Sequence, residues 1–161
     1  MTKLAIILSH PIQYYSPLFV KLAKEITLKV FYCFNPTAEQ QGKQGFGKAF
    51  QWDIDLLEGY DSEFMDNIAT RPGTDHRNGC DTPLVGEHLL AYGASHVVVF
   101  GWHLRAYQQT LAFCNEKGIP IAVRGDSQID PQQVFWKKWI KSLYYPFFLK
   151  KFDAFLSVGQ R

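Results

Sequence analysis

The sequence predicts an α/β protein built on a doubly wound, mostly parallel sheet with helices on both faces. Short apolar runs alternate along the chain with segments of helical periodicity. A hydroxyl or carboxylate residue followed by proline opens a helix-length stretch at Ser16-Pro17, Thr82-Pro83 and Asp130-Pro131. The connections are long enough for helical crossovers, which parallel strands require.

Leu4–Leu8 reads as a buried strand, and Ser16-Pro17 then supplies an N-cap and a first-turn proline. The helix that follows, to about Glu25, carries Leu18, Phe19, Leu22 and Ala23 on one face. Leu28–Tyr32 is a second strand. From Asn35 to about Gly59 the chain is rich in Gly, Gln and Lys and has no strong period. A third, weaker strand is expected within Ser62–Ile68. After the polar stretch ATRPGTDHRNGCD, Thr82-Pro83 opens a helix that ends at Gly93, a C′ glycine.

His96–Gly101 (HVVVFG) is the clearest strand. Leu104, Tyr107, Leu111 and Cys114 then keep helical spacing until Gly118, and Ile119–Val123 is a further strand. Asp130-Pro131 with Gln133 resembles a capping box and starts an aromatic helix toward Lys151. Ala154–Val158 is a last apolar run. No repeat or linker interrupts the series, so residues 1–161 are read as one domain. The apolar run so near Arg161 leads us to expect that domain to be incomplete at its C-terminus.

Bulk properties narrow the function classes. With 161 residues, 47% apolar and 20% charged, the chain is globular and can bury an ordinary core. A net charge of +2 makes no case for nucleic acid. Cys33, Cys80 and Cys114 are odd in number and form no CxxC pair, and they read as reduced, buried packing thiols of a cytoplasmic protein. The first apolar run is too short for a signal peptide, and no stretch reaches the roughly 18 apolar residues of a membrane span.

Ligands of open α/β sheets bind beyond the carboxyl ends of the strands, where the strand order reverses. That rule selects the loops SHPIQYYSP, GWHLR and RGDSQIDP. If the first and fourth strands are neighbours, the three loops bring together His10, Gln13, Tyr14, Trp102, His103, Arg105, Arg124, Asp126 and Ser127. Such a set can stack on a sugar or another ring and hydrogen-bond to hydroxyls. The structural alternatives are a loop histidine with no chemical role, an Arg124–Asp126 ion pair, and a Trp102 that merely closes the core.

Other motifs carry less. GKQGFGKA (Gly42–Ala49) has phosphate-loop spacing, but Ala49 lacks the hydroxyl a bound magnesium needs, and the segment does not directly follow a strand. The Asp-x-Asp of WDID (Trp52–Asp55) is common by chance, as is RGD at Arg124–Asp126. No His/Cys cluster has metal-ligand spacing, so no metal is expected. The segment Trp136–Lys151 interleaves lysines with tryptophan, tyrosine and phenylalanine. A basic aromatic helix of this kind can lie at an anionic membrane surface, or pack on the sheet with its lysines solvated.

HPIQYYSPL after the first strand, FQWDIDLLEGYDSEFMDN in the middle, FGWH after the fourth strand and RGDS after the fifth resemble bacterial glycosyltransferases of the GT-B fold. The resemblance is closer to the N-terminal domain of the large retaining group often called family four. It covers essentially the whole chain in order, and WDxxLLxGY is its most specific segment. It implies one Rossmann-like half of a two-domain enzyme that transfers a sugar from a nucleotide-diphosphate sugar to a glycan or lipid-linked acceptor.

In such enzymes the C-terminal half grips the donor and the N-terminal half binds the acceptor. The first loop can therefore lack a glycine cradle, and the chain alone is expected to be inactive. The resemblance implies His103 and Arg124 as catalytic residues, and His10, Gln13, Tyr14, Trp52, Trp102, Asp126 and Ser127 as acceptor-binding ones. Many relatives place a histidine near the donor sugar after the fifth strand, where this chain has Arg124. An arginine there can stabilise charge on a leaving phosphate. The fold generally needs no metal, and no cofactor beyond the donor substrate is expected. A cytoplasmic location is expected from the cysteines, at the inner face of the membrane where the Trp136–Lys151 helix lies on its surface. The competing reading is a non-catalytic α/β module that binds a carbohydrate or a partner through the same loops.

Overall fold

Apolar runs bounded by turns form most of a six-stranded sheet. In the computed structural model, which describes residues 2–37, 55–125 and 145–157, the strands are β1 (Lys3–Leu8), β2 (Thr27–Tyr32), β3 (Asp61–Phe64), β4 (His96–Val99), β5 (Ile121–Gly125) and β6 (Ala154–Ser157). Every neighbouring pair is parallel, and the order is β3-β2-β1-β4-β5-β6. The described helices are α1 (Ser16–Glu25), α2 (Val85–Tyr92) and α3 (Arg105–Lys117), with helical backbone also at 145–149. This is the expected α/β, Rossmann-like, doubly wound sheet, with β1 and β4 adjacent at the reversal of strand order.

Strand periodicity places alternate residues of β1 in two different cores. Ala5 and Ile7 pack with Val97, Val99, Ile121 and Val123 beneath α2 and α3. Ile6 and Leu8 pack with Val30, Tyr32 and Phe19 of α1 on the other face. Both faces are therefore covered, which is why the strand sequence is a continuous apolar run and does not alternate. Phe19 is fully buried, so truncating it to alanine would cost about 3–5 kcal/mol. All three cysteines are free and buried, and burial pushes the Cys114 thiol up to about 12.

The helix starts differ from the capping expectation. Tyr15 is the cap residue of α1, and its side chain makes no capping bond. The Ser16 hydroxyl instead donates to the Leu56 carbonyl at 2.8 Å, a tertiary bond that removes it from capping. α2 begins at Val85, later than Thr82-Pro83 suggests, and the buried Thr82 Oγ1 has no hydrogen-bond partner among the described residues. The C-terminal glycines behave as expected: Gly93 and Gly118 end α2 and α3 at φ +73° and +66°. β3 starts earlier than expected and β5 extends further, through Arg124 and Gly125.

Ser95 fastens the start of β1 to β4. Its hydroxyl accepts from the Lys3 amide at 2.9 Å and donates to the Lys3 carbonyl at 3.2 Å, across 92 positions of sequence. Of the aromatic segment Trp136–Lys151, only its end is described. There Phe148, followed by Phe152, is buried in the core beneath α2 and α3, while Phe147 is 73% exposed. Among the described residues no helix is long and apolar enough to cross a membrane.

Candidate functional site

The carboxyl ends of β1, β4 and β5 form one rim because β1 and β4 are neighbours and β4 pairs with β5. β1 ends at Leu8, and the buried Ser9 opens the first loop. The Ser9 hydroxyl lies 3.0 Å from His10 Nδ1, and Ser9 also hydrogen-bonds the Tyr107 hydroxyl on α3. Burial lowers the His10 pKa below its ordinary 6.5, so the ring is neutral at neutral pH. Burial likewise pushes the Tyr107 hydroxyl up, which keeps it protonated. A neutral imidazole with one nitrogen near Ser9 can still accept a proton or a hydrogen bond at the other.

Past His10 the loop closes by backbone bonds to Ile12: the Tyr15 amide donates to its carbonyl at 3.0 Å and the Ser16 amide at 3.4 Å. Gln13 is half-buried in this turn, whereas Tyr14 is 76% exposed. Tyr15 turns inward and meets Phe100, the residue after β4, edge-on with ring centroids 4.9 Å apart.

Arg124 reaches this aromatic pair from the end of β5. Its guanidinium carbon lies 4.6 Å from the Tyr15 ring centroid and 5.2 Å from that of Phe100. Its Nη1 donates to the Tyr15 hydroxyl. Two aromatic faces and one hydroxyl fix a cation at the reversal point while using few of its five N–H donors. Among the described residues no carboxylate pairs with Arg124. An arginine so held can offer its remaining donors to an anionic or hydroxylated ligand.

The GWHLR loop closes the other side. Gly101 adopts φ +112°, a conformation that favours glycine, and turns the chain from β4 toward α3. Trp102 lies against Gly125 so closely that a Cβ there would stand 2.9 Å from Trp102 Cζ3. Its ring also meets Tyr145 edge-on at 6.3 Å. Trp102 is half-buried and its carbonyl accepts from Gln108 Nε2 at 3.2 Å. His103 is exposed, with its ring 6.0 Å from that of Tyr107.

The structure thus brings together His10, Trp102, His103 and Arg124 around Tyr107, Tyr15 and Gly125. Gln13 belongs to the same loop, and Tyr14 stands outward from it. Trp52, Asp126 and Ser127 lie outside the described residues, as does the phosphate-loop-like segment Gly42–Ala49. Asp55 of the Asp-x-Asp pair is described, and its Oδ1 accepts from the Leu57 amide at 2.9 Å, an ordinary turn bond. Sequence reading placed Tyr15 in the first loop but missed the clamp it forms with Phe100, because Phe100 reads as the end of an apolar strand. The place of Tyr15 in the loop after β1 and of Phe100 just after β4, the two strands that meet at the reversal point, is the signal that could have identified the pair. Comparison with known proteins finds no family model that matches the chain and no curated protein similar to it.

Proposed function

We propose that this chain is the acceptor-side half of a GT-B-type glycosyltransferase, which transfers a sugar from a nucleotide-diphosphate sugar to a glycan or lipid-linked acceptor. The single observation that carries the reading is the placement of Arg124 between Tyr15 and Phe100 at the reversal of strand order. There a guanidinium is held ready without an acidic partner among the described residues. Support also comes from the first loop, which is built from side chains where a phosphate cradle would need bare backbone amides.

In this reading His10 and Gln13 meet the acceptor, and Trp102 gives a ring face for a sugar to stack on. His103, exposed at the mouth of the rim, is placed to exchange a proton. Arg124 offsets the charge that develops on the leaving diphosphate. The donor is held mainly by a second lobe. The test is sugar transfer by the full-length gene product, with a panel of nucleotide-diphosphate sugars and a lipid-linked or glycan acceptor. His103→Ala and Arg124→Ala are each expected to lower turnover by at least about 10²-fold. Unchanged turnover in both variants removes these residues from the chemistry. A full-length product with no transferase activity, but with carbohydrate affinity, assigns the rim to a binding module.

A further inference from the structure

Outside the rim, the polar stretch between β3 and α2 folds over the start of α3 and encloses an open cavity of about 510 Å³, within the range of small-ligand sites. We infer that this cavity binds a neutral pyranose ring, which on the proposed reading is a sugar of the acceptor glycan.

The cavity is built on a fixed frame. Asn67 Nδ2 donates to the Gly79 carbonyl at 2.9 Å, while its Oδ1 accepts from the Ala69 amide at 3.0 Å and the Asp81 amide at 2.9 Å. The Ile68 amide donates to the Asp81 carbonyl at 2.9 Å, and the Gly73 amide to the Gly79 carbonyl at 3.0 Å. The two arms of the loop are thereby pinned together, so little ordering remains to oppose a ligand.

Charge balance selects the ligand class. Arg105 Nη1 lies 3.1 Å from Asp81 Oδ2, and Arg71 Nη2 lies 3.3 Å from Asp75 Oδ2. Each guanidinium in the wall is already matched by a carboxylate, so the cavity has little net potential to draw a phosphate. Both arginines still have spare N–H donors, and the carboxylates have spare lone pairs. Asp81 is held still by Gln109 Nε2 at 2.7 Å and by Arg105, with its side chain only 12% exposed. His76, with Nε2 3.0 Å from Arg71 Nε, joins Thr70 and Asn78 in the polar wall. Ile68, itself exposed, and Ala69 supply the apolar part of the lining. Donors and acceptors side by side, balanced charge and an apolar patch suit a ring that carries hydroxyls on its edge and C–H groups on its face. They suit an anion poorly.

The cavity also adjoins the rim. Arg77 Nη2 donates to Gln108 Oε1, and Gln108 Nε2 donates to the Trp102 carbonyl, so one side chain joins the cavity's loop to the stacking residue of the site.

The experiment is amide-resolved NMR on the 161-residue chain. It is titrated with the methyl α-pyranosides of glucose, mannose and galactose to about 100 mM, as millimolar affinity requires. Glycerol and inorganic phosphate serve as comparison probes. The expected result is saturable shifts at Ala69, Thr70, Asn78, Asp81 and Arg105 with at least one glycoside, absent with glycerol and not displaced by phosphate. Asn78→Ala and Arg71→Ala, both exposed and outside the frame, are expected to weaken that binding about 5-fold with the rest of the spectrum unchanged. Asp81→Asn is expected to weaken it more. The inference is overturned if no glycoside gives saturable shifts there, if phosphate or glycerol gives the same shifts, or if both exposed variants bind as the parent does. Glycoside binding here by a full-length protein that transfers no sugar would keep this site and end the transferase reading. Transfer without such binding would do the reverse.

Discussion

Arg124 and Tyr15 lie 109 positions apart in the chain and meet with the guanidinium over the phenol ring and a bond to its hydroxyl. The pair joins the end of β5 to the loop after β1 across β4, and so makes the rim a single structure. Tyr15→Phe keeps the ring contact and loses only the hydroxyl bond, for an expected stability loss of about 1 kcal/mol. Arg124→Ala loses the cation–ring contact as well, for an expected loss of about 2 kcal/mol. Urea denaturation of the two variants measures both. Equal losses would show that the hydroxyl bond alone matters.

His10 makes folding sensitive to weak acid. Its folded pKa is lowered by burial, so on acidification the unfolded chain takes up the proton first. Stability is therefore unaffected by this residue well above the ordinary 6.5, falls as pH drops through it, and levels off below the folded value. His10→Gln should flatten that part of the profile. The check is the difference in urea midpoint between parent and variant from about pH 7.5 to about pH 5.

Lys29 lies 2.9 Å from Glu63, whose other oxygen lies 2.6 Å from His88 Nδ1. The Lys29 hydrogen bond chiefly, with help from His88, holds the Glu63 carboxyl below its usual range. Its contribution is present above the ordinary 4.5 and is lost as pH falls through the folded value. With Glu63 36% exposed, Glu63→Gln should cost less than about 1 kcal/mol near neutrality, and the cost should shrink in high salt and in acid. A salt series of denaturation midpoints tests this.

Gly79 cannot carry a side chain without breaking the loop frame. A Cβ there would stand 2.2 Å from the Gly73 carbonyl oxygen, a backbone atom that cannot rotate away. Gly79→Ala is expected to cost about 1–3 kcal/mol and to abolish glycoside shifts in the 68–81 cavity. Denaturation and the same NMR titration report the two effects. A variant as stable as the parent would mean that the two arms are not pinned there.

Much of the fold was legible because strands buried on both faces leave unbroken apolar runs, as at Leu4–Leu8 and His96–Val99. Helix ends were legible where glycine takes φ > 0, at Gly93 and Gly118. Hydroxyl caps were not, because a capping signal is local: the Ser16 hydroxyl is claimed by Leu56, 40 positions away. The meeting of the first, fourth and fifth strand loops followed from strand order alone. The aromatic clamp on Arg124 did not, since nothing local separates Phe100 from a core residue or shows that Tyr15, in the first loop, meets it. The 68–81 cavity was equally hidden, because its shape comes from bonds such as Asn67 to Gly79 and Asp81, which have no periodic trace.

The Ser95 fastening has a kinetic side. β1 sits at the middle of the sheet, yet one of its two flanking strands lies some 92 positions further along. On a ribosome the first βαβ unit would emerge and wait, one edge bare, until the chain past Val99 had left the exit tunnel. Refolding from urea should then be slow for a chain of this size, since a loop of that length must close before its central ladder can form.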